Sequence, residues 1–193
     1  PNGEWATISR LKRRFLLLRS SSQMRFALTY VLITSVVLVF LNVYTSSTTR
    51  NMMLRTKETS LQSRVQLVVS SLSGLERLTS DNVTQVVTQL GDLTATRLLV
   101  TDSEGRALYD SLSTANATGK VVLFTEVVLA LRGNNVFYAV YRDQALESRI
   151  CLPVYASGSL VGAVYLMEYD ADQGAIIAAL EMNIITISVI LGI

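Results

Sequence analysis

Three carboxylates crowd one short stretch, RLLVTDSEGRALYDS (Arg97–Ser111), in which Asp102, Glu104 and Asp110 stand about Gly105. A hard divalent cation takes several oxygen ligands, and a calcium loop supplies them at alternate positions around a central glycine, closing on a distant glutamate. This stretch supplies only part of that pattern. Asp102 and Ser103 are good turn formers and Gly105 suits a positive φ, so the same letters read more simply as a hairpin turn without a metal. A second group is basic. Arg142 and Arg149 fall on adjacent predicted strands, where an arginine fork suits a carboxylate or phosphate. Tyr138 alternates onto the strand face of Arg142, and Tyr109 and Tyr155 offer hydrogen-bonding rims. Against this stands the plainer expectation that both arginines are solvated or salt-bridged. Cys151, the single cysteine, fits neither a disulfide framework nor a metal cluster and reads as a small core residue. The chain has no histidine, and no serine sits in a nucleophile motif. Catalysis is therefore assigned to no residue, and no cofactor is expected in this chain.

The elements that would hold these groups begin in lipid. Half of the 193 residues are hydrophobic and 17% are charged, a low share for a soluble protein. FALTYVLITSVVLVFLNVY (Phe26–Tyr44) is 19 residues without a charge, long enough to cross a hydrocarbon core of about 30 Å. It is too long for an export signal, and no convincing small-residue cleavage pattern follows. Arg10, Lys12, Arg13, Arg14, Arg19 and Arg25 precede it against the single Glu4, so residues 1–25 are expected to stay in the cytoplasm. A second apolar run, Ala175–Ile193, carries Glu181 and Asn183 near its start. These read as residues of the outer interface or, more sharply, as a helix contact that relays a shift of the span. About a dozen residues after Glu181 fall short of the roughly 20 that a crossing needs. The natural protein is thus expected to continue into the cytoplasm.

Residues 45–174 lie between the two runs, carry 11 Lys and Arg against 13 Asp and Glu, and are the size of one domain. No basic patch points to nucleic acid. Leu54, Leu61, Val65, Val68, Leu72 and Leu75 form a heptad-like stripe on a helix that can continue directly from the first span. Such a stripe packs on its own sheet at Val65–Leu75, and nearer the membrane suits the same helix of a second chain. A shorter helix is predicted from an Asp81 N-cap to a left-handed cap at Gly91. The period then changes to two. TRLLVTD, RALYDS, NNVFYAVYRD, ALESRICLPVYA and SLVGAVYLMEYD predict five strands, with a short helix over Phe124–Arg132 before the third.

RLLVTDSEGRALYDS as a first hairpin and RICLPVYASGSLVGAVYLMEY (Arg149–Tyr169) as a final strand pair, set between two spans, resemble the extracytoplasmic PAS-like sensor domain called PDC or single Cache, found in bacterial membrane sensor histidine kinases. The resemblance covers residues 26–193. It implies an α+β membrane protein in which two transmembrane helices flank a five-stranded antiparallel sheet, with a long N-terminal helix packed on it. The segments would be a basic cytoplasmic N-terminus (1–25), a first transmembrane helix (26–44), the sensor domain (45–174) and the start of a second transmembrane helix (175–193). It further implies a homodimer, a ligand pocket or partner surface on the sheet face opposite the long helix, and a cytoplasmic kinase using ATP and Mg that lies beyond this chain. Family sensors of small carboxylates use a basic set that includes histidine, which this sequence lacks. The expected function is signal input to a two-component kinase. A chemoreceptor or diguanylate cyclase output, or a bitopic scaffold that binds another membrane protein, are the alternatives. An unidentified extracellular small molecule, peptide or protein is the expected partner.

Overall fold

The helix that starts in the first apolar run does not stop where the run ends. In the computed structural model, which describes residues 22–75, 77–91, 95–112 and 114–192, helix α1 runs unbroken over Ser22–Ser73. No proline or glycine interrupts it, and Gly74 follows its last residue. The basic side chains from Arg10 to Arg19 lie outside the described residues. Contacts divide the chain into two units, Pro1–Thr48 with Glu181–Ile193, and Thr49–Leu180.

In the first unit the apolar run of α1 exposes Phe26, Leu32, Val36, Phe40 and Leu41. This is the one helix among the described residues that is long and apolar enough to cross a membrane. The expected second span falls on helix α4, Ala171–Gly192, whose apolar stretch Ala171–Leu180 is shorter.

The second unit is built on a five-stranded antiparallel sheet. Strands β1 (Arg97–Asp102), β2 (Ala107–Asp110), β3 (Val136–Arg142), β4 (Ala145–Ala156) and β5 (Ser159–Asp170) lie in the order β2-β1-β5-β4-β3. Both two-residue turns use positive φ, at Asp143 and Gln144 and at Ser157 and Gly158, which matches the right-handed twist of the paired strands. The predicted strands are all present, and β4 and β5 keep their predicted bounds.

Both faces of the sheet are covered, so its inner strands read as continuous apolar runs. On one face Leu98, Val100, Ile150, Leu152, Val154, Val164 and Leu166 meet Leu61, Val65, Val68 and Leu72 of α1. Val83 and Val87 of helix α2 (Ser80–Leu90) complete this core. Each such side chain contributes about 1.5–3 kcal/mol when fully buried. On the other face Leu99, Cys151, Ala163 and Tyr165 meet Val127 and Ala130 of helix α3 (Thr125–Ala130) and Val122 before it. Cys151 is fully buried here, and burial pushes its thiol well above the ordinary value, so it is a core residue as expected.

Two helix ends differ from the sequence expectation. The N-cap of α2 is Thr79, and Asp81 lies in the first turn. Thr79 wins because Asn82 stands three residues on and closes a capping box, its Oδ1 accepting from Thr79 N at 2.8 Å. Gly91 does close α2 with φ +73°, but with ψ −153°, outside the left-handed helical region predicted for it.

The exit from the sheet is short. β5 ends at Asp170 and α4 begins at Ala171, and Asp170 Oδ1 accepts from Gln173 N at 2.9 Å, closing the first turn. Gly174 then lies against the β3–β4 turn so closely that a Cβ would fall on Ala145 Cα and the Gln144 carbonyl.

Candidate functional site

The acidic stretch is a turn. Asp102 Oδ1 accepts from Glu104 N at 2.9 Å and Arg106 N at 2.8 Å, and Gly105 takes φ +79°, so the carboxylate closes the hairpin on itself. Glu104 is exposed. Asp110 lies buried on the opposite strand, where Arg97 Nε and Nη2 donate to its two oxygens at 3.0 and 2.6 Å. Leu112 N and Ala117 N add bonds of 3.1 and 2.8 Å. Burial alone would raise the Asp110 carboxyl, but Arg97 and the two amides outweigh it and hold it below the ordinary carboxylate value.

The face away from α1 carries the basic candidates. Register places Arg97, Met167, Arg149 and Tyr138 in one row across β1, β5, β4 and β3. Arg149 lies over the Tyr138 ring, 5.8 Å from its centroid. Its Nε donates to Glu147 Oε1 at 2.7 Å and its Nη1 to Glu126 Oε1 at 3.1 Å. Burial works against the guanidinium charge, and the two glutamates outweigh it, so Arg149 is held above its ordinary value. Behind this row the Phe124 and Tyr165 rings meet at 5.4 Å, with Arg97 over Phe124. Burial pushes the Tyr165 hydroxyl up to about 12.

The structure thus brings Tyr138 and Arg149 together. Arg142 is exposed at the end of β3, four residues and about 13 Å along the strand from Tyr138. Tyr155 is partly exposed, its hydroxyl near Gly133 at the end of α3. Tyr109 lies on the other face, against the α1 core. Asn183 is exposed on α4, and the Glu181 side chain falls outside those described. Sequence reasoning passed over Glu126 and Arg97. Glu126 had a signal, a carboxylate within the apolar run of a short helix, FTEVVLAL.

A second polar cluster, also unforeseen, joins α1 to the sheet exit. Lys57 Nζ lies 3.0 Å from Glu168 Oε1 and 2.9 Å from Asp170 Oδ2, and Arg64 Nη1 lies 3.3 Å from Glu168 Oε2. Lys57 is only 6% exposed. Burial tends to raise the Asp170 carboxyl, but Gln173 N–H and the Lys57 ammonium outweigh it and leave it lowered. Replacing Lys57 with alanine leaves two carboxylates facing each other without their shared cation. A loss of about 3–5 kcal/mol is expected, read as a lower urea midpoint of the full chain in lipid nanodiscs.

No family model matches the sequence, and no curated protein matches it. Solved structures do share the architecture. An extracellular ligand binding receptor from Desulfohalobium retbaense DSM5692 superposes with a TM-score of 0.53 at 14% identity, over 69% of this chain and 26% of that one. The ligand binding domain of the Pseudomonas aeruginosa PAO1 amino acid chemoreceptor PctC, in complex with GABA, gives 0.50 at 15% identity, over 70% and 61%. The sensory domain of the Campylobacter jejuni chemoreceptor Tlp3, with isoleucine bound, gives 0.50 at 12%, over 78% and 64%. The fold is that of the extracellular PDC/Cache-like sensor domains. At these identities the likeness is one of fold, and the chain spans from about a quarter to just under two thirds of these three proteins. Within the Cache-like fold the long helix takes one sheet face, and the row from Arg97 to Tyr138 lies on the other.

Proposed function

We propose that this chain is the ligand-sensing input module of a membrane receptor, and that the observation carrying this is the paired connection of one sheet to two helices. α1 leads from an apolar run onto the sheet without a break, and β5 leads out into α4 with no residue between them. Between these exits sit Lys57, Glu168 and Asp170, so a change of packing at the sheet has a short path to both helices. Binding can bias that packing only if it differs in free energy between two states.

In this reading residues 1–25 are cytoplasmic, 26–44 and the α4 segment from 175 onward span the cell membrane, and 45–174 face outward as the sensor domain. Two chains pair as a homodimer, and Glu181 and Asn183 relay the movement of α4. The output is a two-component sensor histidine kinase whose ATP and Mg chemistry lies beyond this chain. A chemoreceptor output is the second reading, favoured because two of the three likenesses above are chemoreceptors.

The ligand side is the face away from α1, with Arg149 and Tyr138 at its centre and Arg142 and Tyr155 at its edges. Tyr109, on the α1 side, enters only through the sheet. Arg149 is already paired with Glu147 and Glu126, so an incoming carboxylate must replace an acid that is already there. A small molecule carrying both an amino group and a carboxylate does this in balance, its ammonium taking the freed glutamate. The full chain in nanodiscs, titrated with a panel of amino acids and small carboxylates, is expected to give a saturable rise in Tm for at least one of them. Arg149→Ala should abolish that rise. A panel that moves nothing, or a response that Arg149→Ala leaves intact, removes this site.

A further inference from the structure

We infer that the α1 side of the sheet carries a second ligand site, beside the sheet exit, for an uncharged amphiphile whose head donates a hydrogen bond. A cavity of about 560 Å³ lies there between α1, the end of β5 and the start of α4, within the 300–1,000 Å³ typical of small-molecule sites. It is separate from the Arg149 row, which lies on the other face of the sheet.

The lining selects the chemistry. Its charged groups are Lys57, Arg64, Glu168 and Asp170, two cations and two carboxylates, with Lys57 paired to both acids and Arg64 to Glu168. Such a wall has no net charge to attract an ion, and a charged ligand would have to break one of its pairs to enter. Met52, Met53 and Ile176 form the apolar part, and thioether side chains adapt to varied chain shapes. Thr56 and Ser60 add hydroxyls. Gln173 lines the cavity and its Oε1 is buried without a hydrogen-bond partner, an uncompensated cost in the free protein. Turned into the cavity, that carboxamide accepts a bond from a ligand hydroxyl or amide. Thr49 of the lining follows Tyr44 by five residues on the same helix, about 7.5 Å of rise. Water and a bilayer are therefore tested as the two sources of the amphiphile.

The test uses the full chain, labelled with ¹³C-methyl methionine, in phosphatidylcholine nanodiscs. 1-Octanoylglycerol is added from the aqueous phase, and in a second arm 1-oleoylglycerol is built into the bilayer. The Met52 and Met53 methyl resonances are expected to shift saturably in at least one arm, and which arm responds identifies the source. Met167, on the opposite face, should stay in place and also reports that each variant is folded. Octanoate, with the same tail and a charge, should fail at equal concentration. Gln173→Leu should weaken binding at least tenfold, and Met53→Trp, which fills the cavity, should abolish it. Shifts that never saturate, that include Met167 equally, or that survive Gln173→Leu unchanged would overturn the site, as would the absence of any shift in both arms.

Discussion

Asp110→Ala is expected to destabilise the sheet domain by about 3–5 kcal/mol, the largest loss for removal of a single polar side chain in the β1–β2 region. The carboxylate is fully buried and accepts four hydrogen bonds, two of them from Arg97. Its removal strands a guanidinium that is 13% exposed, together with the Leu112 and Ala117 amides. Asp110→Asn separates the contributions, because an amide keeps one acceptor and loses the charge. It should fall between alanine and the parent in a urea titration. The pH dependence has a fixed sign. The folded-state pKa of Asp110 lies below its unfolded value, so its contribution is fully present above the unfolded value, about 3.9. It is lost as pH falls through the lower folded value. Asp170 is lowered too and adds to the same acid limb. Parent stability should therefore decline below about pH 4, and Asp110→Asn should show a shallower decline. Parallel acid limbs for the two proteins would count against the pairing.

Gly162→Ala is expected to cost at least about 3 kcal/mol, the upper part of the range for overpacking, through a different cause. Gly162 lies on β5 between Asp102 of β1 and Val154 of β4. An added Cβ would fall onto the Thr101 carbonyl oxygen and within 3.0 Å of Leu78 Cδ1. The leucine tip can move, but the carbonyl belongs to a strand paired on both sides and cannot move without breaking the ladder. The expected result is a Tm lowered by about 6–12 °C, given roughly 2–4 °C per kcal/mol for a chain of this size, or insoluble material. A Tm within 2 °C of the parent would show that β1 and β5 are less closely held than the register implies.

The strands were legible because short polar turns and a β-branched, aromatic composition agreed over β3 to β5, even though β4 and β5, covered on both faces, keep little period-two alternation. α1 was legible because its apolar spacing holds and nothing breaks it. The finer assignments failed where a distant or offset contact decides. Tyr109 follows Ala107 by two residues and by simple alternation should share its face. The irregularity between Val100 and Thr101 pairs Tyr109 with Val100 instead and Ala107 with Thr101, and a bulge of this kind exchanges faces within one strand. Asp110 was read with its acidic neighbours in sequence, whereas its partner is Arg97, 13 residues back across the hairpin. The Lys57 pairs span 113 residues to Asp170, a separation at which no local pattern carries a signal. Tyr138 was read with Arg142 on its own strand, whereas register sets it beside Arg149, and Glu126 beside Arg149 becomes visible only when α3 folds over the sheet.

The direct passage from Asp170 to Ala171 also fixes the rotational phase of α4. A helix advances about 100° per residue, so one residue added at this junction would turn every later side chain by more than a quarter of a circle. Four added residues would bring it nearly back. Gly174 against the β3–β4 turn leaves no slack to absorb the difference. Under the proposed function, chimeras that join this domain to a foreign output should therefore tolerate junctions that preserve this phase and fall silent at those that do not.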